Sequence, residues 1–292
     1  MYPFVITLIL CSTFMHAGWN LLARRQRSET AFFKRMLTVI ALVGFVPAAL
    51  SEMQARSLTP TAWACVVGSG CCCGAYYLFL ARAYESSDFT VAYPVARALP
   101  VLFVGVGDVL RGRHLTPMGW LGMSLVACGC LLVPLHSFID FAVRRYLNRT
   151  TLWMLLTAMG TVGYTLLDKV ASEVVQQGPA TAARYGYVFF LISGVSYAVF
   201  LKVFKTEEQN PNYVGWKLPA LAACMNFGAY WLVLWAYQLS PQASYIVAFR
   251  QFSIVIGTVL AFAIYKEQGL VVRLAGTSLL TSGLVIIGLW GN

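Results

Sequence analysis

One stretch of this sequence occurs twice, once as Tyr77–Tyr84 (YLFLARAY) and again as Tyr230–Tyr237 (YWLVLWAY). Each copy begins and ends with a tyrosine and leads, through a serine, into an apolar segment that carries one arginine. The matched residues keep one constant offset. They are Tyr77 with Tyr230, Tyr84 with Tyr237, Ser87 with Ser240, and Arg97 with Arg250. The agreement indicates a duplicated chain, and an arginine at the same depth of two apolar segments indicates a role beyond packing.

Composition places the duplicated chain in a membrane. Of its 292 residues, 59% are hydrophobic and 11% are charged, and the mean hydropathy is +0.70. Soluble domains usually carry about 25% charged residues, and roughly 20 apolar residues span a bilayer as a helix. We therefore predict an all-α integral membrane protein with ten transmembrane helices. The predicted spans are 2–23, 34–50, 61–83, 89–109, 117–135, 151–170, 184–204, 216–239, 243–264 and 270–290, of which the second is the shortest.

Several classes of protein are excluded by what the sequence lacks. A membrane β-barrel needs strands of alternating polarity, whereas Leu279–Trp290 is apolar on every face. The chain contains no Gly-Lys-Ser/Thr phosphate loop, no paired carboxylates, no metal-spaced histidines and no nucleophile elbow. All eight cysteines fall inside predicted spans, where they read as packing residues. We therefore expect neither an enzyme nor a bound metal or other cofactor.

The net charge of +10 points to a membrane surface and not to nucleic acid. Basic residues crowd the connections at 24–35, 144–149 and 202–217. These connections lie on one side of a ten-span bundle, opposite both termini. The positive-inside rule alone would put the termini outside the cell, although Arg111 and Arg113 lie on the other side. Lipid is accordingly an expected partner.

The most hydrophilic break divides the chain into two halves. It is the basic connection 137–150, which separates residues 1–136 from residues 151–292. Five spans per half is an odd number, so the second half enters the membrane inverted relative to the first. Inverted repeats are typical of secondary transporters that bind substrate near the midplane. The repeat continues, after a one-residue slip, into glycines that permit close helix packing. These pairs are Gly122 with Gly276 and Gly129 with Gly283.

The two arginines are the leading candidates for binding an anionic substrate group. Charged residues inside a membrane usually face a cavity or a partner. Arg97 lies between Pro94 and Pro100, which remove backbone donors and loosen the predicted helix. The same stretch in the second copy, around Arg250, contains no proline. The alternative is that each arginine reaches to the membrane interface or pairs with a helix C-terminus.

A second group of polar residues lies on the first span. His16, Trp19 and Asn20 share one helix face, where His16 would relay a proton or bind a carboxylate, or would simply be a neutral histidine bonded to another helix. The adjacent Asp168 and Lys169 are predicted to form an internal ion pair or, preferably, an anchor at the membrane interface. Aromatic residues near the arginines would line the cavity. These are Tyr93, Tyr164, Tyr230 and Trp235.

The chain resembles the EamA-type members of the drug/metabolite transporter superfamily. The resemblance rests on five motifs. They are His16-Ala-Gly-Trp-Asn20, Ala81-Arg-Ala-Tyr84 followed by Val91-Ala-Tyr-Pro-Val-Ala-Arg97, Gly163-Tyr-Thr-Leu-Leu-Asp168, Ala248-Phe-Arg250 and Lys266-Glu267. The chain departs from the family pattern after the fourth span, where Gly112-Arg113-His114 stands in place of Gly-Glu.

The resemblance implies an alternating-access carrier of small solutes. We expect an exporter or exchanger of a small polar metabolite, such as an amino acid or an organic anion, in the inner or plasma membrane. The resemblance also implies cytoplasmic termini, against the charge distribution, and we assign them there. The chain would act as a monomer or a homodimer. The alternative is a non-transporting membrane subunit or a membrane-embedded enzyme acting on lipid-like substrates, which would have a lateral groove near one interface.

Overall fold

The architecture is a bundle of antiparallel α-helices. A computed structural model describes residues 1–24, 29–84, 89–133, 135, 149–205, 214–265 and 270–291. The helices of these residues are α1 (Pro3–Arg24), α2 (Glu29–Ala55), α3 (Pro60–Tyr84), α4 (Phe89–Leu110), α5 (Pro117–Leu132), α6 (Arg149–Val174), α7 (Pro179–Val203), α8 (Lys217–Leu239), α9 (Ala243–Arg250), α10 (Phe252–Tyr265) and α11 (Leu270–Trp290).

The all-α membrane fold is confirmed, with two differences in detail. Seven helices of the described residues are long and apolar enough to cross a membrane, and 117–132 and 243–256 form shorter apolar helices. The segment predicted as the shortest span belongs to α2, whose 27 residues make it longer than any other described helix. Charged residues near both ends of α2 lower the local hydropathy, so the span predicted from hydropathy is shorter than the helix. The predicted ninth span is interrupted at Gln251, which separates α9 from α10.

Prolines mark where several helices begin. Pro3, Pro60, Pro117 and Pro179 each occupy the first position of a helix. A proline there loses nothing, because the first backbone N–H groups of a helix have no partner within it. At α5, the preceding Thr116 adds a cap, since its Oγ1 accepts a hydrogen bond of 2.9 Å from the Gly119 N–H. The sequence therefore fixes these helix starts locally.

The helices pack in a two-fold pattern. Helix α1 packs on α8 as α6 packs on α3, and α3 packs on α7 as α8 packs on α2. Helix α2 also packs on α7, and α5 on α11. If the first five helices (α1–α5) are exchanged with the last six (α6–α11), each of these helix contacts becomes another contact of the set or stays the same contact. The division at 137–150 itself stays a prediction, because residues 136–148 lie outside the described residues.

Glycines hold α5 against α11. A Cβ on Gly129 would lie 2.6 Å from the Gly276 carbonyl oxygen, and one on Gly122 would lie 2.8 Å from the Gly283 oxygen. Real Cβ atoms do not approach backbone oxygens so closely, so the two helices touch through their backbones. The glycines matched by the duplication are therefore the residues in contact, with each glycine facing the partner of the other.

One end of the bundle gathers both described termini, and we call it the Met1 end. The Met1 amino group donates a hydrogen bond of 3.3 Å to the Gly288 oxygen, and Thr116 Oγ1 donates one of 2.9 Å to the Trp290 oxygen. At the same end, Arg184 of α7 lies 3.2 Å from Glu52 of α2. The outer surface is apolar, with exposed residues such as Val43 suited to contact with lipid tails.

Candidate functional site

Two small adjoining cavities lie between the halves of the bundle, with volumes of about 30 and 40 Å³. His16, Tyr76, Tyr164 and Arg250 line both. The first cavity adds Trp19, Cys73, Tyr77, Phe189, Phe190, Asn226, Ala229 and Tyr230. The second adds Asn20, Leu80, Ala96, Arg97, Pro100, Thr157, Thr161, Val247 and Gln251. Their walls combine many aromatic faces with a small number of polar groups, as is usual for small-molecule sites.

The two duplicated arginines meet at these cavities. Arg97 of α4 and Arg250 of α9 both line the second cavity, and they interact electrostatically with each other and with His16. The Arg250 guanidinium lies 5.5 Å from the centre of the Tyr230 ring, a cation–π distance that fixes its position. Two neighbouring positive charges on a cavity wall create a strong local attraction for an anion.

His16 offers a hydrogen-bond donor at the junction of the two cavities. Trp19 Nε1 donates a hydrogen bond of 3.1 Å to His16 Nδ1. A nitrogen that accepts a hydrogen bond carries no proton, so the imidazole proton lies on Nε2. That atom is buried and has no hydrogen-bond partner among the described residues. Asn20 lies one turn further, where its Nδ2 donates to the His16 carbonyl oxygen at 2.8 Å.

The helix carrying Arg250 breaks at the cavity wall. Gln251 N–H bonds to the Ala248 oxygen, three residues earlier, and α10 begins at Phe252. Side chains occupy the carbonyls around the break, with Gln251 Nε2 on the Val247 oxygen and Ser253 Oγ on the Arg250 oxygen. The first copy behaves differently, since α4 is continuous through Pro94 and Pro100. The prolines therefore do not interrupt α4, and the discontinuity lies in the copy without them.

Comparison with known proteins shows which proteins the chain is similar to. Residues 3–135 match the EamA-like transporter family. The first half of the chain is therefore similar to this family. Over 107 residues, or 36% of this chain, it is 28% identical to an uncharacterized transporter in the cobO 3' region of Sinorhizobium sp, covering 76% of that protein. A crystal structure of a protein at 14% sequence identity superimposes with a TM-score of 0.71 and covers all of this chain and 98% of the other. That likeness supports the fold alone.

The protein also contains a buried carboxylate whose surroundings the sequence did not reveal. Asp168 of α6 is 1% exposed. Its Oδ1 accepts hydrogen bonds from Ser69 Oγ of α3 and, at 2.7 Å, from the Tyr185 hydroxyl of α7. Its Oδ2 accepts one from the Tyr230 hydroxyl of α8. The interpretation of Asp168-Lys169 as an ion pair is therefore wrong, because the Asp168 carboxylate is bonded to hydroxyl groups and not to Lys169.

Lys169 belongs instead to an ionic network at the Met1 end. Its Nζ lies 2.7 Å from the Tyr237 oxygen of α8 and 3.2 Å from Glu173. Glu173 also pairs with Arg111 at 2.7 Å and with Arg113 at 2.9 Å, just beyond α4. The network joins α4, α6 and α8 across the two halves of the bundle.

A further contact at this end was not predicted either. The Ser244 N–H at the start of α9 donates a hydrogen bond of 2.8 Å to Asp108 Oδ2 of α4. The carboxylate thus caps an N-terminus that no side chain of α9 itself caps.

Seven of the nine residues predicted from the sequence line the cavities. They are His16, Trp19, Asn20, Arg97, Tyr164, Tyr230 and Arg250. Trp235 is not brought to them, because its ring packs edge-on against Phe4 at 5.3 Å on the α1 side of α8. The Tyr93 side chain lies outside the described residues. Lys266 and Glu267 also lie outside them. Asp168, Tyr76 and Asn226 were missed, although a carboxylate inside an apolar span is itself a signal.

Proposed function

We propose that this EamA-family transporter is a secondary carrier of a small metabolite with an anionic group, such as an amino acid or an organic anion, and that it works as an exporter or exchanger. The observation that carries the proposal is the convergence of Arg97 and Arg250 on one interior cavity. Each comes from the equivalent position of one copy. An inverted pair of this kind suits a site that must open first to one side of the membrane and then to the other.

The cavity chemistry supports a substrate with both an anionic and an apolar part. The two guanidinium groups would bind a carboxylate or phosphate through charge-assisted hydrogen bonds. His16 Nε2 would donate a further hydrogen bond, since it is buried and unsatisfied among the described residues. The rings of Tyr76, Tyr164 and Tyr230 would contact the rest of the molecule. His16 also stays one of the candidates for proton coupling.

The position of the cavities favours transport over the alternative of a lipid-modifying enzyme or a passive subunit. An enzyme acting on lipid would need its polar cluster near one interface. Here the cavities are lined by residues from the middle of α1, α3, α6 and α8. The Met1-end network and Asp108 then supply contacts between α4, α6, α8 and α9 that would have to break for the cavity to open toward that end.

Ligand-dependent thermal stability and transport test the proposal together. The purified protein is heated with a panel of amino acids, organic acids and phosphorylated metabolites. A ligand at 100 times its Kd should stabilise the fold by about 2.7 kcal/mol. Uptake and efflux of the stabilising compounds are then measured in proteoliposomes. We expect Arg97→Gln and Arg250→Gln each to abolish both the stabilisation and the flux.

Arg82→Gln is the matched control. Arg82 also stands near the end of an apolar stretch, but it lies over the rings of Trp153 and Phe204, away from the cavities. The same loss of charge there should leave ligand binding and flux unchanged. Wild-type transport by folded Arg97→Gln and Arg250→Gln proteins would refute the proposed site.

A further inference from the structure

We infer that Asp168 is the proton-binding site of this transporter, and that its proton and the anion at Arg250 bind together, so that the carrier moves a proton with its substrate. The inference rests on the proposed anion site and adds its coupling ion. It follows from three features: the isolation of the carboxylate, a hydrogen-bond arrangement that accepts two charge states, and a tyrosine that joins Asp168 to Arg250.

The carboxylate has no salt-bridge partner among the described residues. Asp168 is buried among α3, α6, α7 and α8, and in the described ranges no basic side chain forms a salt bridge with it. Its neighbour Lys169 turns away to Glu173 and the Tyr237 oxygen. A carboxylate inside a membrane without a salt-bridge partner is costly. Uptake of a proton from water in the cavity would remove its charge.

The titratable groups around Asp168 come from each neighbouring helix. Helix α3 contributes the thiols of Cys65, Cys72 and Cys73. Helices α7 and α8 contribute the phenols of Tyr185, Tyr230 and Tyr237. The α9 residue Arg250 is the charged group that acts on it, while Asp108 and Arg111 of the α4 region are engaged with Ser244 and Glu173. Among the described groups of this cluster, Asp168 is therefore the carboxylic acid.

Both charge states of Asp168 can be fully hydrogen-bonded. As a carboxylate it accepts from Ser69, Tyr185 and Tyr230, as described above. Ser69 Oγ also lies 3.4 Å from the Tyr164 carbonyl oxygen. When Oδ1 is protonated, it can donate to Ser69 Oγ, and the serine can turn its own hydrogen to the Tyr164 oxygen. A single hydroxyl rotation thus accommodates the proton without leaving a buried polar atom unsatisfied.

Tyr230 connects the carboxylate to the anion site. Its hydroxyl contacts Asp168 Oδ2, its ring lines the first cavity, and the Arg250 guanidinium lies 5.5 Å from the ring centre. The hydroxyl can pass a proton between cavity water and the carboxylate. The contact also means that Asp168, when ionised, competes with a bound anion for the charge of Arg250.

This competition makes proton and anion uptake cooperative. Asp168 and Arg250, which both contact Tyr230, lie roughly 8 Å apart. At an effective dielectric of about 20, the interaction between their charges changes a binding equilibrium roughly 30-fold. Protonation removes the competing negative charge, so the anion binds more tightly. By linkage, the anion raises the affinity for the proton by the same factor. Each transport cycle would then carry one proton per anion.

Infrared difference spectroscopy of the full-length protein in lipid tests the inference with the proton itself as ligand. Changing the pH from mildly alkaline to mildly acidic should produce a carbonyl band of a protonated, buried carboxylic acid. Asp168→Asn should lack this band. Asp108→Asn, which removes the other aspartate that is buried among the described residues, should retain it. A wild-type protein without such a band, or an unchanged band in Asp168→Asn, would overturn the inference.

Two further variants keep the test informative if Asp168→Asn does not fold. Ser69→Ala and Tyr230→Phe each remove one hydrogen-bond donor to the carboxyl group, so each should shift the frequency of the band. Identical frequencies in both would contradict the assignment to Asp168.

The link to the anion site is tested by Arg250→Gln. The pH midpoint of the band should move by about 1.5 pH units, which corresponds to the roughly 30-fold coupling. Arg82→Gln should leave the midpoint in place. An unmoved midpoint in Arg250→Gln would refute the coupling. A titrating band together with wild-type flux in Arg250→Gln would refute the proposed anion site and leave the proton site standing.

Discussion

Replacing Gly129 by alanine should separate α5 from α11 and destabilise the transporter. The added Cβ would lie 2.6 Å from the Gly276 oxygen and 2.7 Å from the Leu280 backbone nitrogen. Ordinary contact begins near 3.4 Å, so α11 must retreat by 0.8 Å (3.4 minus 2.6). Both obstructing atoms belong to the backbone of a helix. A rotamer change therefore cannot relieve the contact, and the whole helix has to move.

The free-energy cost of crowding can be separated from the intrinsic helix preference of alanine. Forcing extra atoms into a packed interior costs about 1–3 kcal/mol, while alanine is better than glycine in a helix by about 1 kcal/mol. Gly194→Ala in α7 is the matched control, because its Cβ would lie 3.5 Å from the Leu37 Cβ, an ordinary contact. The helix-forming gain is common to both variants. The difference between them is the crowding cost of about 1–3 kcal/mol.

Thermal unfolding in detergent, followed by the labelling of cysteines that become exposed, measures this difference. Buried Cys65, Cys73 and Cys130 provide the signal in the native sequence. At roughly 2–4 °C per kcal/mol, Gly129→Ala should melt several degrees below Gly194→Ala. Gly276→Ala widens the same gap, so its combination with Gly129→Ala should cost less than the sum of the two. Equal melting temperatures for Gly129→Ala and Gly194→Ala would refute the close backbone contact.

Three other variants test contacts of individual side chains. His16→Gln should keep ligand binding and the proton dependence of transport, because an amide can accept a hydrogen bond from Trp19 and still donate one to the ligand. His16→Leu should lose ligand binding. A loss of proton dependence in His16→Gln would identify the imidazole as the coupling group. Arg184→Ala should lower the stability of the α2–α7 contact by about 1.5–3 kcal/mol, since it removes charge-assisted bonds to Glu52 and its neighbours, and an unchanged melting temperature would contradict this. Tyr77→Phe leaves Asn226 Nδ2 without its 2.9 Å partner and should cost about 1–3 kcal/mol in thermal unfolding, a result that ligand-free protein is sufficient to check.

Much of the fold could be predicted because hydropathy and duplication are both properties of the linear sequence. The membrane spans follow from apolar length, and the meeting of Arg97 and Arg250 follows from their equivalent positions in inverted copies. The extent of α2 could not be predicted, since a helix continues beyond the hydrocarbon layer into residues that are not apolar. The break at Gln251 depends on which side chains take up free carbonyls, and a hydropathy window does not see this.

The errors in the predicted site concern the direction in which each side chain points around its helix axis. Tyr230 and Trp235 are five residues apart, a rotation of about 140°, so one faces the cavity while the other faces α1. Asp168 and Lys169 are adjacent and diverge by about 100°. One reaches the hydroxyls of α3, α7 and α8, and the other reaches Glu173. Neither direction can be read without knowing which helices stand on each side.

The glycine contacts between α5 and α11 have a consequence for the origin of the two-fold bundle. Because Gly122 corresponds to Gly276 and Gly129 to Gly283, the contact Gly122–Gly283 is the symmetry copy of the contact Gly276–Gly129. Such an interface is isologous, the kind that two identical subunits form around a dyad. The seam inside this single chain has the same form as a homodimer interface between two half-length proteins. Because both halves lie in one chain, each side can change alone, which permits an acid such as Asp168 to exist in one half only.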